Sequence, residues 1–198
     1  MKNALDQKAH KKCIQIAKKN NHKKFLNILK NSNPVNYVNR DNKLSLRLFI
    51  MKTIIGQQIS VSAAKAIWHK AYPIVRKKNI NVDEIKNLGL SKMKQEYILS
   101  INIYFLKKNI RKSYLQNCDI TKLENLFLPI KGIGPWTLNI ISIFYIKDSD
   151  VWLPEDLGIQ KSFNRFFSDF DMIEVSNLYK PYRSYLCLYL WRALENKS

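Results

Sequence analysis

The sequence is short of acid. Fifteen Asp and Glu stand against 34 Lys and Arg, a formal charge of +19 over 198 residues. A low-GC genome would account for many of the lysines, asparagines and isoleucines. The codons of Glu and Asp can be A/T-rich too, so it does not account for their scarcity. An excess of this size favours a polyanionic partner, nucleic acid first and anionic membrane second. Cysteine is also scarce. Cys13, Cys118 and Cys187 lie far apart, which excludes a disulfide framework and a zinc pair. They are expected as ordinary buried or half-buried thiols of a reducing compartment. No apolar run reaches the length of a membrane span, and the lysine-rich N-terminus has no secretory h-region. A soluble, intracellular protein is expected. Convincing pairs of alternating strands are missing, as are internal repeats and low-complexity tails, so the fold class is all-α.

What is present supports a real core: 46% of residues are hydrophobic, enough for one large domain or two small ones. Residues 1–30 carry nine lysines and one acid, with helical pieces whose narrow apolar face includes Ile14, Ala17, Phe25, Leu26 and Leu29. That charge run reads as a solvated face that sees phosphates at long range. Residues 31–43 form a polar connector with Asn33-Pro34 as a breaker. A core helix follows over 44–55, with Leu44, Leu48, Met51 and Ile55 on one side. Gly56-Gln57-Gln58-Ile59-Ser60 interrupts it, and Ser60 suits the cap of a helix over 61–70. A short helix from Asp83 stops at Gly89. Ser91 opens a longer one through Lys107, with Tyr97, Ile101, Tyr104 and Phe105 inward. Further helices are expected over 158–167, 175–179 and 182–194.

The chain is organised around 128–156. Within Leu128-Pro129-Ile130-Lys131-Gly132-Ile133-Gly134-Pro135, Gly132-Ile133-Gly134 reads as a tight turn and Pro135 starts a helix. Leu123, Leu126 and Phe127 repeat at helical spacing before it, and an apolar run through Ile146 follows it, so the unit is helix, hairpin, helix. A helix N-terminus behind two glycines suits a phosphate, and Lys131 adds charge. A plain αα-turn without a ligand is the alternative reading of the same residues.

Downstream lies Val151-Trp152-Leu153-Pro154-Glu155-Asp156. With the hairpin, this resembles the helix-hairpin-helix DNA glycosylase superfamily, most closely the 3-methyladenine DNA glycosylase II type. The resemblance spans most of the chain. Residues 49–66, with Gly56-Gln57-Gln58-Ile59-Ser60 and Ala63-Ala64, look like the family's first core helix and intercalation loop. Leu88-Gly89-Leu90-Ser91 with Lys94 and Tyr97 looks like its next signature. Lys180-Pro181-Tyr182-Arg183-Ser184-Tyr185 with Trp191 looks like the C-terminal one. The β-rich N-terminal domain of larger bacterial relatives has no counterpart in this sequence.

The resemblance implies two helical domains: a central one over 45–148 carrying the hairpin, and one built from 1–44 and 149–198. An interdomain active-site cleft is expected, with Asp156 facing it. It implies a monofunctional hydrolase of alkylated purines such as 3-methyladenine and 7-methylguanine in base excision repair. The partner is double-stranded DNA with a flipped damaged base, and a monomer is expected. Two rivals are a non-catalytic DNA-binding protein that keeps the hairpin and a glycosylase for deaminated or mismatched bases.

The implied residues follow. Asp156 is the catalytic carboxylate, although an aspartate before a helix is also an ordinary N-cap; Glu155 competes on position. Trp136 and Trp191 match positions lining the base pocket, with core packing as the alternative, and Tyr185 is either pocket wall or core. Some relatives have a further pocket aromatic where this chain has Ile140. Gln58 takes the position that fills the gap left by the flipped nucleotide. Lys131, Gly132, Gly134 and Thr137 are implied DNA contacts. Strand-cutting relatives place an imine-forming lysine two residues after the second hairpin glycine. Here that residue is Trp136, which forms no imine. No cofactor is required. A structural monovalent cation on the backbone carbonyls of Leu128, Ile130 and Ile133 is implied, and no iron–sulfur cluster is expected from three dispersed cysteines.

Overall fold

The computed structural model describes residues 4–37 and 43–195. All regular structure among them is helical. Twelve α-helices run in order: α1 Ala4–Lys19, α2 Lys23–Lys30, α3 Leu46–Gly56, α4 Val61–Val75, α5 Val82–Lys86, α6 Lys92–Lys107, α7 Lys112–Gln116, α8 Ile120–Phe127, α9 Pro135–Ile141, α10 Leu157–Phe166, α11 Met172–Leu178 and α12 Arg183–Glu195. A π turn, Ser142–Ile146, continues α9. No helix among the described residues is long and apolar enough to cross a membrane.

The chain divides into two compact units, Asn42–Ile146 and Met1–Asp41 with Lys147–Ser198. The central unit is built on α3, which packs against α4, α6 and α9. Its core includes Ile50, Met51, Ile54, Ile55, Ile98, Ile101, Phe127, Leu138 and Ile141. The buried stripe of α3 runs through Leu46, Ile50, Met51, Ile54 and Ile55, not through Leu44 and Leu48. The helix is apolar nearly all round, so periodicity alone does not fix which side turns inward.

Polar caps start most helices. Ser45, Ser60, Ser91 and Asp119 each accept from a backbone N–H of the first turn, satisfying a donor that the helix leaves open. α4 runs on past the expected end at Lys70, with Pro73 inside it. Buried Ala71 and Val75 hold that last turn on the core. α7 is a single short helix of five residues with Leu115 buried.

In the unit built from both chain ends, α1 packs on α2 and on α12, and α12 also packs on α10 and α11. Aromatic residues fill its core: Phe25, Phe167, Tyr179, Tyr185 and Tyr189 are fully buried or nearly so. Asp6, the acid in the lysine-rich first thirty residues, is buried as well. It accepts from the Tyr185 hydroxyl at 2.9 Å and from the Tyr37 N–H at 3.2 Å.

Candidate active site

In the central unit, the hairpin joins α8 to α9. Ile130 N–H donates to Phe127 O and Ile133 N–H to Ile130 O, both at 3.0 Å. Gly132 turns the chain with φ +96°. A Cβ there would lie 2.5 Å from Cγ of Tyr97, so the Tyr97 ring packs directly on the Gly132 backbone. Gly134 differs: it is the N-cap of α9, and a Cβ on it would meet nothing within 4 Å. Thus one hairpin glycine serves the turn and its packing, and the other keeps its outer side clear. Leu138 N–H closes the first helical bond, on Gly134 O at 3.0 Å. Lys131 is exposed and pairs with Glu96 at 2.7 Å. Trp136 is half-buried.

The Thr137 side chain does not suit a DNA contact. The residue is 2% exposed, and its Oγ1 accepts from Gln57 Nε2 at 3.0 Å. The bond ties the α3–α4 loop to α9, so Thr137 organises the site from within. Gln58, by contrast, is exposed in that loop with φ +55°, a conformation uncommon away from glycine. Beside it, Ile59 is 38% and Val61 83% exposed. The sequence reading passed over this exposed apolar pair, whose only signal is position next to the glutamines.

The loop is held from below by Lys94 on α6. Its Nζ donates to Ile55 O at 2.9 Å and to Gln57 O at 2.6 Å, capping the C-terminal carbonyls of α3 with a cation. Burial pushes the Lys94 ammonium below its ordinary pKa, yet the two carbonyls favour the charged form.

In the unit built from both ends, Asp156 is the N-cap of α10 and is half-buried. Its Oδ1 accepts from Ile159 N–H and from Trp191 Nε1–H, both at 2.9 Å. Both bonds fall on the same oxygen. The indole N–H of Trp191 thus helps to orient the carboxylate. Gly158 makes this possible. A Cβ there would sit 3.0 Å from Asp156 Oδ1 and 3.3 Å from Cδ1 of Trp191. The sequence reading missed it, although a glycine in the first turn of a helix, where it costs stability, was a readable signal. Glu155 is exposed.

The segment leading to Asp156 is pinned to the start of α12. Arg183 Nε donates to Asp150 Oδ1 at 2.8 Å and its Nη2 to Asp150 Oδ2 at 3.0 Å, a bidentate pair. The Ser184 hydroxyl donates to Asp148 O at 2.6 Å and accepts from Val151 N–H at 3.0 Å. The Arg183-Ser184 signature thus acts by fixing a loop. Tyr185 is a core residue and not a pocket wall: it is fully buried, with its hydroxyl on Asp6.

No protein-family model matches the chain. It is 36% identical over 136 residues to a DNA-3-methyladenine glycosylase of Saccharomyces cerevisiae, an overlap covering 61% of this chain and 46% of that protein. A DNA-3-methyladenine glycosylase of Bacillus subtilis is 25% identical over 165 residues, 71% of this chain and 54% of that one. The chain spans about half the length of these curated relatives. Among solved structures, a DNA-3-methyladenine glycosidase of Bacillus halodurans superposes with a TM-score of 0.70 at 22% identity, covering 93% of this chain and 89% of that one. A 3-methyladenine DNA glycosylase of Schizosaccharomyces pombe, solved in complex with abasic DNA, gives 0.72 at 20% identity over 88% and 91%. These likenesses define the fold as that of the helical glycosylases. The chain shares the fold of these two solved structures and is similar in sequence to proteins named as DNA-3-methyladenine glycosylases.

Proposed function

We propose that this chain is a monofunctional DNA glycosylase of the 3-methyladenine DNA glycosylase II type, hydrolysing the N-glycosidic bond of alkylated purines in double-stranded DNA. The observation that carries the reading is the carboxylate of Asp156, oriented through one oxygen by Ile159 N–H and Trp191 Nε1–H. The relatives named as DNA-3-methyladenine glycosylases support it, as does the neighbour solved with abasic DNA.

A base in the stack is out of reach, so such an enzyme extrudes the nucleotide. Breaking the bond at C1′ builds positive charge on the sugar. A carboxylate fixed near that carbon stabilises the charge and orients water. Alkylation of a ring nitrogen makes the purine cationic, and it departs neutral without a general acid, so one carboxylate suffices. A cationic base is attracted to an aromatic face, the role proposed for Trp136 and for the Trp191 ring. With Trp136 in place of an imine-forming lysine, the reaction ends at an abasic site. Gln58 would occupy the space left in the duplex, while Lys131 and the open side of Gly134 would receive phosphate. A monovalent cation on the carbonyls of Leu128, Ile130 and Ile133 fits the turn, since the Ile130 oxygen bonded to Ile133 N–H keeps a second lone pair. Such an ion would add positive charge beside the phosphate.

The test is release of free base from duplex DNA carrying 7-methylguanine or 3-methyladenine. Wild type should release it. Asp156→Asn should bind the same DNA with near-normal affinity and lose activity by roughly a hundredfold or more. Tight DNA binding without base release by wild type would instead indicate a non-catalytic binding protein.

A further inference from the structure

Three residues of one helical turn touch the two parts of the central unit that the proposed reaction uses. Lys94 Nζ bonds the carbonyls of Ile55 and Gln57 in the Gln58 loop. Glu96 pairs with hairpin Lys131. Tyr97 packs its ring against Gly132. Lys94 and Tyr97 lie three apart on α6, so they project from the same side of the helix. A further tie closes the ring from above, Gln57 Nε2 to Thr137 Oγ1 of α9.

From this we infer that the first turns of α6 form a bracket coupling the hairpin to the Gln58 loop, with Lys94 as a positioning residue for base extrusion. The inference rests on the glycosylase reading for its consequence, and on the geometry for its mechanism. Gln58 holds a left-handed backbone at φ +55°, which a free loop would leave. The residue before it is fixed twice, by its carbonyl to Lys94 and by its amide to Thr137. Neither Lys94 nor Gln57 needs to touch DNA. A hydrophobic residue at 94 would leave the Ile55 and Gln57 carbonyls without their charged donor and let the loop relax. Glu96 and Tyr97 hold the hairpin from the same turn of α6 that holds the loop through Lys94. Grip on the backbone and insertion of Gln58 therefore act together.

The experiment compares wild type, Lys94→Met and Lys94→Arg in the full chain. Single-turnover release of 7-methylguanine is measured from duplex and from single-stranded DNA, alongside hydrogen–deuterium exchange of residues 55–60 with and without duplex. Lys94→Met should lower the duplex-to-single-strand rate ratio about tenfold, the scale of losing hydrogen bonds from a charged group. Arginine, which can reach both carbonyls, should restore most of it. Amides of the loop should exchange faster in Lys94→Met and gain less protection from duplex DNA. Equal loss on both substrates, or unchanged loop exchange, overturns the inference. If wild type releases no base from either substrate, the glycosylase reading fails, and the exchange arm still decides whether Lys94 positions the loop. Should Lys94→Met fail to fold, Thr137→Val, which removes the other tether, must give the same ratio and exchange change for the inference to stand.

Discussion

At the scale of single residues, the two hairpin glycines make opposite predictions. Gly132→Ala forces a Cβ into the Tyr97 ring at a left-handed φ, and should destabilise the central unit by about 1–3 kcal/mol in denaturant titrations. Gly134→Val meets open space. It should leave the melting temperature close to wild type and weaken binding to all DNA sequences alike, as measured by fluorescence anisotropy. Equal stability of the two variants would contradict the assignment. The N-cap position of Asp156 was legible in the sequence, since an acid before a helix marks a cap, while the role assigned to it came from the resemblance alone. The grip of Trp191 on it was not legible, since 35 residues separate the partners and no local pattern records a long-range hydrogen bond. The tie between Gln57 and Thr137 was hidden for the same reason, with eighty residues between the partners.

At the scale of elements, helix existence was readable wherever a cap preceded an apolar period, as at Ser60 and Ser91. It was not readable at α7, whose five residues are too few for a period. The C-terminal signature was legible as a resemblance, but its purpose emerged only from the bonds. Arg183 and Ser184 fasten residues 148–151 to α12. Ser184 is fully buried, so Ser184→Ala should cost about 1–3 kcal/mol by leaving the Val151 N–H without its acceptor. The loss should appear in equilibrium unfolding, and in faster amide exchange at 149–152 before any change in α3.

At the scale of the molecule, two solution variables act with predictable sign. Burial holds His22 and His10 below the ordinary value of 6.5, with Arg192 adding to the effect at His10. The unfolded chain therefore takes up protons near 6.5 while the folded chain waits for lower pH. Stability should be full above about 6.5, fall as pH drops from there toward the folded values, and level off below them. Melting at pH 7.5 and 5.5 checks this, and His22→Phe should flatten the slope. Salt acts in two directions. The +19 charge repels itself, so added salt should raise the melting temperature of the free chain while steeply weakening the DNA binding proposed for it. The unit made from both ends has one more consequence, which concerns synthesis. Residues 42–146 can fold as they leave the ribosome. α1 cannot complete its packing until α12 is made, and Asp6 lacks its Tyr185 partner until then. A nascent chain stalled before residue 183 should therefore hold a protease-resistant centre behind a cleavable leading helix, and only the released protein should protect both.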